Sequence, residues 1–340
     1  MSEELDIIQF LSLSRQTPVI DVRSPAEYQK GRIPGALNIP LFSNEERAKV
    51  GTAYVQKNRE EAYLLGLEIA GLKLKMFANE ALKTAVEKKL LVHCWRGGMR
   101  SKSMAWLFDQ MGIKTYTLKG GYKAYRRFVL EWFNKPARLI VLGGMTGSGK
   151  TEILHELKKL GQQVLDLEGI AHHKGSAFGG LGQAEQPTQE QFENQLFTIL
   201  QSFDYEEIIW IEDESISIGR TQLPKQWYQY MQQSPAIFML RDKALRIKRL
   251  VKEYAGFPSN LLAESIRKIH KRLGGNNTKL ALDALAKGDH YKVADITLHY
   301  YDKAYLKQIN CKSQENIIQF SPKSGSSNEI ADEILRLFNS

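Results

Sequence analysis

Cysteine is scarce in this 340-residue chain: only Cys94 and Cys311 occur. Two thiols cannot build a disulfide framework, and such scarcity fits a reducing compartment. No apolar run approaches the ~18 residues that a membrane-spanning helix needs. The opening residues, MSEELDIIQF, carry acids where a secretory leader needs basic side chains. The expectation is a cytoplasmic protein without membrane association. Neither an internal repeat nor a low-complexity domain interrupts the chain. With 43% hydrophobic and 25% charged residues, it has an ordinary globular composition and length enough for two domains.

The formal net charge is +9, and its distribution is uneven. Residues 1–135 hold 22 Lys+Arg against 14 Asp+Glu, residues 136–240 hold 7 against 13, and residues 241–340 hold 18 against 11. Two basic blocks flank an acidic middle. Such blocks either solubilise a surface or attract a polyanion such as RNA.

Patterning predicts two α/β domains, 1–134 and 135–340, with Asn134-Lys135-Pro136 as the linker. In the first, strands are expected at Thr17–Val22, Leu90–Val92 and Thr115–Leu118. Helices are expected over 44–70, 79–88, 101–111 and 122–132. In the second, strands at Leu139–Leu142, Val164–Leu167, Ile208–Ile211 and Ile237–Leu240 alternate with a helix from Lys150 to Leu160. Consecutive Arg/Lys-rich helices follow over about 242–308, then a flexible Ser/Gly stretch, Ser321–Asn328, before a closing helix.

Two loops carry chemistry. The strand Leu90–Val92 runs into His93-Cys94-Trp95-Arg96-Gly97-Gly98-Met99-Arg100-Ser101 and then a helix. A strand–loop–helix turn aims backbone N–H groups into one concavity, which binds anions. Arg96 and Arg100 add positive charge, and Gly97 and Gly98 permit unusual backbone geometry. A thiolate at Cys94 would attack an electron-poor sulfur, selenium or phosphorus atom and carry the group covalently. Cys311, alone in a polar stretch, reads as structural.

Around that loop the chain resembles rhodanese-type sulfurtransferase domains. The resemblance rests on Ile20-Asp21-Val22-Arg23-Ser24-Pro25-Ala26-Glu27-Tyr28 and Gly31-Arg32-Ile33-Pro34-Gly35-Ala36-Leu37-Asn38-Ile39-Pro40. It implies that Cys94 is the persulfide-type carrier. Five residues separate Cys94 from Arg100-Ser101, where many single-domain rhodaneses have four. The wider loop is similar to that of cysteine phosphatases and suits a tetrahedral, phosphate-containing group.

The second loop, Gly144-Met145-Thr146-Gly147-Ser148-Gly149-Lys150-Thr151, fits G-x-x-x-x-G-K-[ST] in full. Gly144, Thr146, Gly147, Ser148 and Gly149 are expected to wrap phosphate oxygens. Lys150 would add charge there, and Thr151 would face a metal ion. The pattern does not specify which phosphate compound binds. Glu212, Asp213 and Glu214 end a strand where a P-loop protein often keeps a metal-binding carboxylate, and a solvated acidic turn is the competing reading. His172-His173 lacks further ligands nearby, so no metal site is assigned.

Further stretches tie both loops to one family. Val50-Gly51-Thr52-Ala53-Tyr54, Gly120-Gly121-Tyr122-Lys123, Gly175-Ser176-Ala177-Phe178-Gly179, Gln191-Phe192-Glu193-Asn194, Glu214-Ser215 with Ile218-Gly219, and Arg272-Leu273-Gly274-Gly275 resemble the bacterial tRNA 2-selenouridine synthases. The resemblance implies a rhodanese-like parallel-sheet domain followed by a P-loop NTPase-like α/β domain with added helices. It also implies a transferase that replaces sulfur by selenium in the wobble 2-thiouridine of the tRNAs for lysine, glutamate and glutamine. Geranyl diphosphate would alkylate the sulfur, and selenophosphate, from selenophosphate synthetase, would supply selenium through a Cys94 perselenide. Arg96, Gly97, Gly98 and Arg100 would then hold selenophosphate, and Gly144–Thr151 the diphosphate. No tightly bound cofactor is implied, and Mg²⁺ stays an open option. A sulfurtransferase or cysteine phosphatase fused to an ATP-dependent kinase or NTPase is the alternative.

Overall fold

Runs such as Leu90-Leu91-Val92 and Leu139-Ile140-Val141-Leu142 are too uniformly apolar for a sheet with one wet face. Both lie inside parallel five-stranded sheets in the computed structural model, buried throughout. The structure describes residues 2–309, 316–322 and 325–339. Cys311 and part of the Ser321–Asn328 stretch lie outside them. The chain divides into one unit of Met1–Trp132 with Glu193–Phe197, and another of Phe133–Phe192 with Thr198–Ser340. Both are α/β with parallel sheets, as the patterning predicts.

The first unit runs β1 (Glu3–Leu5), α1 (Ile7–Leu13), β2 (Val19–Asp21), α2 (Pro25–Lys30), β3 (Leu37–Asn38), α3 (Asn44–Gln56), α4 (Arg59–Gly71), α5 (Leu74–Thr84), β4 (Lys89–His93), α6 (Met99–Gln110), β5 (Lys114–Leu118) and α7 (Gly121–Trp132). Strand order is β1-β5-β4-β2-β3, all parallel, with Ile20 beside Val92 and Val92 beside Thr117. Strand β4 is therefore central, and the cysteine loop leaves its C-terminal end, where open α/β sheets bind ligands. Ile20, Phe77, Leu90, Val92, Met104 and Phe108 fill the core against the sheet.

The expected helix over 44–70 is two helices. Asn58 interrupts it, its side chain accepting a 2.8 Å bond from the Glu61 N–H and capping α4. The helix expected at 79–88 starts earlier and stops at Thr84, because Glu87 and Lys88 adopt positive φ before β4.

The second unit runs β6 (Leu139–Gly144), α8 (Lys150–Lys159), β7 (Gln163–Leu165), α9 (Leu167–Ala171), α10 (Gln189–Leu200), β8 (Ile209–Glu212), β9 (Ser217–Ile218), β10 (Thr221–Gln222), α11 (Lys225–Gln233), β11 (Ala236–Met239), α12 (Lys243–Tyr254), α13 (Ser259–Lys268), α14 (His270–Leu273), α15 (Gly275–Ala286), α16 (His290–Ile309), β12 (Ile317–Phe320) and α17 (Ser327–Asn339). Its main sheet is β12-β11-β6-β8-β7, parallel throughout, with β9 and β10 forming a separate antiparallel pair. The P-loop leaves the central strand β6. Helices α12–α16 intervene between β11 and β12, and α13–α16 build a second apolar cluster around Leu262, Ile266, Leu273, Ala281 and Leu285. Strand β7 stops at Leu165, two residues short of expectation, because Asp166 caps α9 by accepting from the Gly169 N–H. No helix among the described residues is long and apolar enough to cross a membrane.

Candidate active sites on the two units

In the first unit the backbone after β4 turns tightly. Gly97 has φ +67°, and a Cβ there would lie 2.5 Å from the Leu118 carbonyl oxygen. Gly121, at φ +60°, would place a Cβ 2.4 Å from the Cys94 carbonyl oxygen. These two glycines let the cysteine loop and the start of α7 touch, and the Tyr122 N–H donates to the Cys94 carbonyl at 2.8 Å. Gly98 differs from expectation. Its φ is ordinary and the space around it is open, so it serves as the N-cap of α6 without needing glycine's freedom.

Cys94 is buried, its Sγ 3.2 Å from the Ser101 Oγ, and Ser101 donates to the Gly98 carbonyl at 3.1 Å. Arg96 stands exposed. Arg100 is not a free anion donor: its guanidinium grips Glu27 through two hydrogen bonds of 2.7 and 3.2 Å. Burial pushes the Glu27 carboxyl up, but the bonds and charge of Arg100 more than offset this and hold it below its ordinary value. The same carboxylate accepts from the Ser24 N–H and so caps the start of α2. Ser24-Pro25-Ala26-Glu27 reads as a helix start by sequence, with Glu27 three residues after Ser24 as in a capping box, but its pairing with Arg100 does not show there.

Beneath the loop lies a buried polar layer that sequence reasoning also missed. Arg23 pairs with Asp21, donates to the Gly31 carbonyl, and places its guanidinium carbon 3.7 Å from the Tyr122 ring centroid. His93 stacks on that same ring. Burial, opposed by Asp21 and aided by Arg23, lowers the His93 pKa, so the imidazole beside Cys94 is neutral.

In the second unit the P-loop closes on itself as expected for a phosphate cradle. Gly144, Gly147 and Gly149 all have positive φ, and a Cβ at Gly144 would sit 2.7 Å from the Ser148 Oγ. Gly149 is the left-handed N-cap of α8. The Lys150 ammonium reaches back to the Gly144 carbonyl at 2.9 Å, and the Thr151 hydroxyl donates to Glu168 at 3.1 Å. Thr146 and Ser148 lend carbonyls to Arg246 and Arg241.

By sequence, Arg246, Lys248, Arg249 and Lys252 are four cations of one basic helix open to RNA phosphates, but the structure leaves only two of them in solvent. Arg246 is 3% exposed and makes a two-bond pair with Asp302, at 2.7 and 2.8 Å. Arg249 pairs with Glu152 and lines the P-loop cavity. Only Lys248 and Lys252 of the four are exposed.

The acidic run at the end of β8 is not a solvated turn. Glu212, Asp213 and Glu214 are all buried. Burial first, then the charges of Glu168 and Asp166, push the Glu212 carboxyl well above its usual range. Burial and Glu168 raise Glu214 to about 8, against the pull of Lys150. Glu212 accepts from the Glu168 N–H, and Asp213 accepts from the Tyr305 hydroxyl. No group of three His, Cys, Asp or Glu among the described residues is arranged to hold a metal ion.

Lys150, Thr151, Gly144, Thr146, Gly147 and Gly149 line a cavity of about 550 Å³. Phe178 and residues of α12, α13 and α16, among them Leu250, Tyr254, Leu262, Val293, Tyr300 and Tyr301, line the same cavity, as do the acids Glu168, Asp213, Glu214 and Glu253. A phosphate-type loop and apolar, aromatic side chains thus share one cavity. Tyr254 and Tyr301 are desolvated enough that their phenols titrate well above the usual range.

Sequence comparison agrees with both halves of this picture. The rhodanese-like domain profile matches residues 8–128, and the profile described as the tRNA 2-selenouridine synthase AAA domain matches residues 137–335. A tRNA 2-selenouridine synthase of Shewanella denitrificans strain OS217 is 36% identical over 344 residues, covering 90% of this chain and 92% of its own length. One of Pseudomonas putida strain GB-1 is 35% identical over 338 residues, covering 87% and 89%. A solved N-terminal domain from Clostridium difficile 630, of a protein described as ATP/GTP-binding, is 38% identical. It covers 38% of this chain and 99% of its own length, with a TM-score of 0.35.

Proposed function

This chain belongs to the tRNA 2-selenouridine synthase family, and on that premise we propose that it is a transferase working in two half-reactions on separate sites. In the first, the wobble 2-thiouridine of the tRNAs for lysine, glutamate and glutamine attacks C1 of geranyl diphosphate. The C–S bond forms as the C–O bond breaks, diphosphate leaves, and the base loses its N3 proton. In the second, the Cys94 thiolate bonds to the selenium of selenophosphate as the Se–P bond breaks, and the electron pair leaves with phosphorus, which departs as phosphite. The terminal selenium of the resulting perselenide adds to C2 of the alkylated base, and geranylthiolate leaves. Two thiols then reduce the S–Se bond and leave as their disulfide, freeing the Cys94 thiol and the selenocarbonyl of the base.

The observation that carries this reading is the shared cavity of the P-loop and the apolar wall. Lys150 and the N–H groups of Gly147, Gly149, Lys150 and Thr151 suit a diphosphate leaving group, whose charge grows as the C–O bond breaks. The wall of Tyr254, Leu262, Val293 and Tyr300 suits a branched hydrocarbon chain. At roughly 0.8 kcal/mol per buried CH₂-sized group, ten carbons contribute up to about 8 kcal/mol before ordering costs. In the other unit, the α6 N-terminus and Arg96 suit a tetrahedral selenophosphate beside Cys94.

Competition binding tests the assignment. Geranyl diphosphate should displace a fluorescent prenyl diphosphate from the wild-type protein, and ATP should do so only at far higher concentration. Tight ATP binding with multiple-turnover hydrolysis and no response to geranyl diphosphate would assign the second unit to the NTPase alternative.

A further inference from the structure

The first unit has its own apolar cavity, which neither half-reaction as written uses. Helices α3 and α4 have 13 residues each, yet α3 buries none of them and α4 buries only Ala62. Helices that fold into a domain normally hide an apolar stripe in its core. Here Tyr54, Val55, Tyr63 and Leu67 remain 61%, 82%, 44% and 51% exposed, and they line a cavity of about 800 Å³. Gly66 keeps that space open, since a Cβ there would meet the Phe42 ring at 3.3 Å.

Two features tie the cavity to the cysteine loop. Arg96, Met99 and Arg100 belong to the loop and to the first turn of α6, and all three line it. Leu41 and Phe42, on its inner side, pack in the same buried cluster as Cys94. Its cationic lining is Arg47, Arg59, Arg96 and Arg100, with Arg100 and, more distantly, Arg47 facing Glu27. An occupant must therefore be apolar at one end and attached to something anionic.

We propose that this cavity receives the prenyl chain of the S-alkylated wobble base while the Cys94 perselenide attacks that base. The inference rests on the two-step reading above. When C2 of the base approaches Cys94, the sulfur on that carbon carries a ten-carbon chain, which needs apolar surface within reach of the loop. The α3–α4 wall supplies that surface, and the exposed Arg59 and Arg96 suit the phosphates of the attached tRNA. The chain then acts as a handle, so that alkylated tRNA is held at Cys94 and unmodified tRNA is not. Geranylthiolate is the leaving group at C2, and its hydrocarbon part stays in the cavity until release.

The test compares selenation of two synthetic tRNAs, one carrying S-geranyl and one S-methyl 2-thiouridine at the wobble position. The enzyme is the full chain, supplied with selenophosphate and a thiol. Wild type should show a KM for the geranyl substrate lower by about tenfold or more, the scale of burying one large apolar group. Val55→Asp and Leu67→Asp, both at exposed positions, should erase that preference by raising KM for the geranyl substrate alone. Their alkylation of unmodified tRNA with geranyl diphosphate should stay at the wild-type rate. Equal use of both substrates by wild type, or a preference that survives in both variants, would overturn the cavity assignment and leave the two-step reaction standing. A raised KM for geranyl diphosphate with the preference intact would also overturn it, by giving the cavity to the free diphosphate. Selenation of neither alkylated tRNA by wild type would overturn the two-step reading together with the inference.

Discussion

The Tyr305 hydroxyl accepts a 2.7 Å hydrogen bond from the Gly144 N–H and donates one of 3.0 Å to the Asp213 carboxylate. A side chain of α16, 161 residues further along the chain, thereby fixes the first residue of the P-loop. Burial and the adjoining Asp213 push the phenol well above its ordinary pKa, so it keeps its proton and remains a donor. Tyr305→Phe leaves the Gly144 N–H without its acceptor, a loss of about 1–3 kcal/mol when such a group is buried. The melting temperature should fall, and geranylation should slow through a looser diphosphate cradle. Selenation of tRNA supplied already geranylated should continue near the wild-type rate.

The acidic cluster makes stability depend on pH with a defined sign. Burial and the Glu168 charge raise the Glu214 carboxyl to about 8, from the usual 4.5. Between those values the folded protein holds a proton that the unfolded chain releases. The contribution is therefore full below about 4.5 and lost as pH rises through about 8. Thermal melts of the ligand-free protein from pH 5 to pH 8.5 should show declining stability, and Glu214→Gln should flatten the slope. An unchanged slope in the variant would place the titration elsewhere.

We propose that α12 contacts transfer RNA through its exposed face alone. Lys248 and Lys252 stand one turn apart in solvent, while Arg246 is locked to Asp302. Lys248→Glu with Lys252→Glu should weaken binding to every tRNA alike and reduce the slope of log affinity against log salt. Arg246→Glu should instead destabilise the fold, since it breaks a buried pair and leaves Asp302 facing a like charge. Filter binding across a salt series, together with melting curves, separates the two effects.

Both reactive loops were legible in sequence because each depends on local rules. A buried strand, glycines and a helix start within one short segment leave few alternatives for Val92–Ser101 or Gly144–Thr151. The parallel strands β2, β4, β5, β6, β8 and β11 were legible for the same reason, each being a short apolar run. The edge strands β1 and β12 were not, since Glu3-Glu4-Leu5 and Ile317–Phe320 are short and half-exposed. Pairing with β5 and β11 makes them strands, and pairing is not a local property. Partners distant in sequence were equally hidden. Glu27 meets Arg100 73 residues later, and Arg246 meets Asp302 56 residues later, so each arginine read as free until folded. The helical character of 44–70 was legible, but not that the apolar side chains of α3 and α4 wall a cavity and contribute little to the core.

The central claim is that alkylation and selenium delivery belong to different residues of one chain. The most direct measurement follows both half-reactions in Cys94→Ser and Lys150→Ala, with nucleosides from the product tRNA resolved by mass. Cys94→Ser should convert 2-thiouridine to its S-geranyl form and stop there, with no selenouridine. Lys150→Ala should fail at geranylation by two orders of magnitude or more, the usual scale for losing a charge-stabilising group, yet selenate tRNA supplied already geranylated. Selenouridine from the Cys94→Ser protein, or equal loss of both half-reactions in Lys150→Ala, would contradict the account.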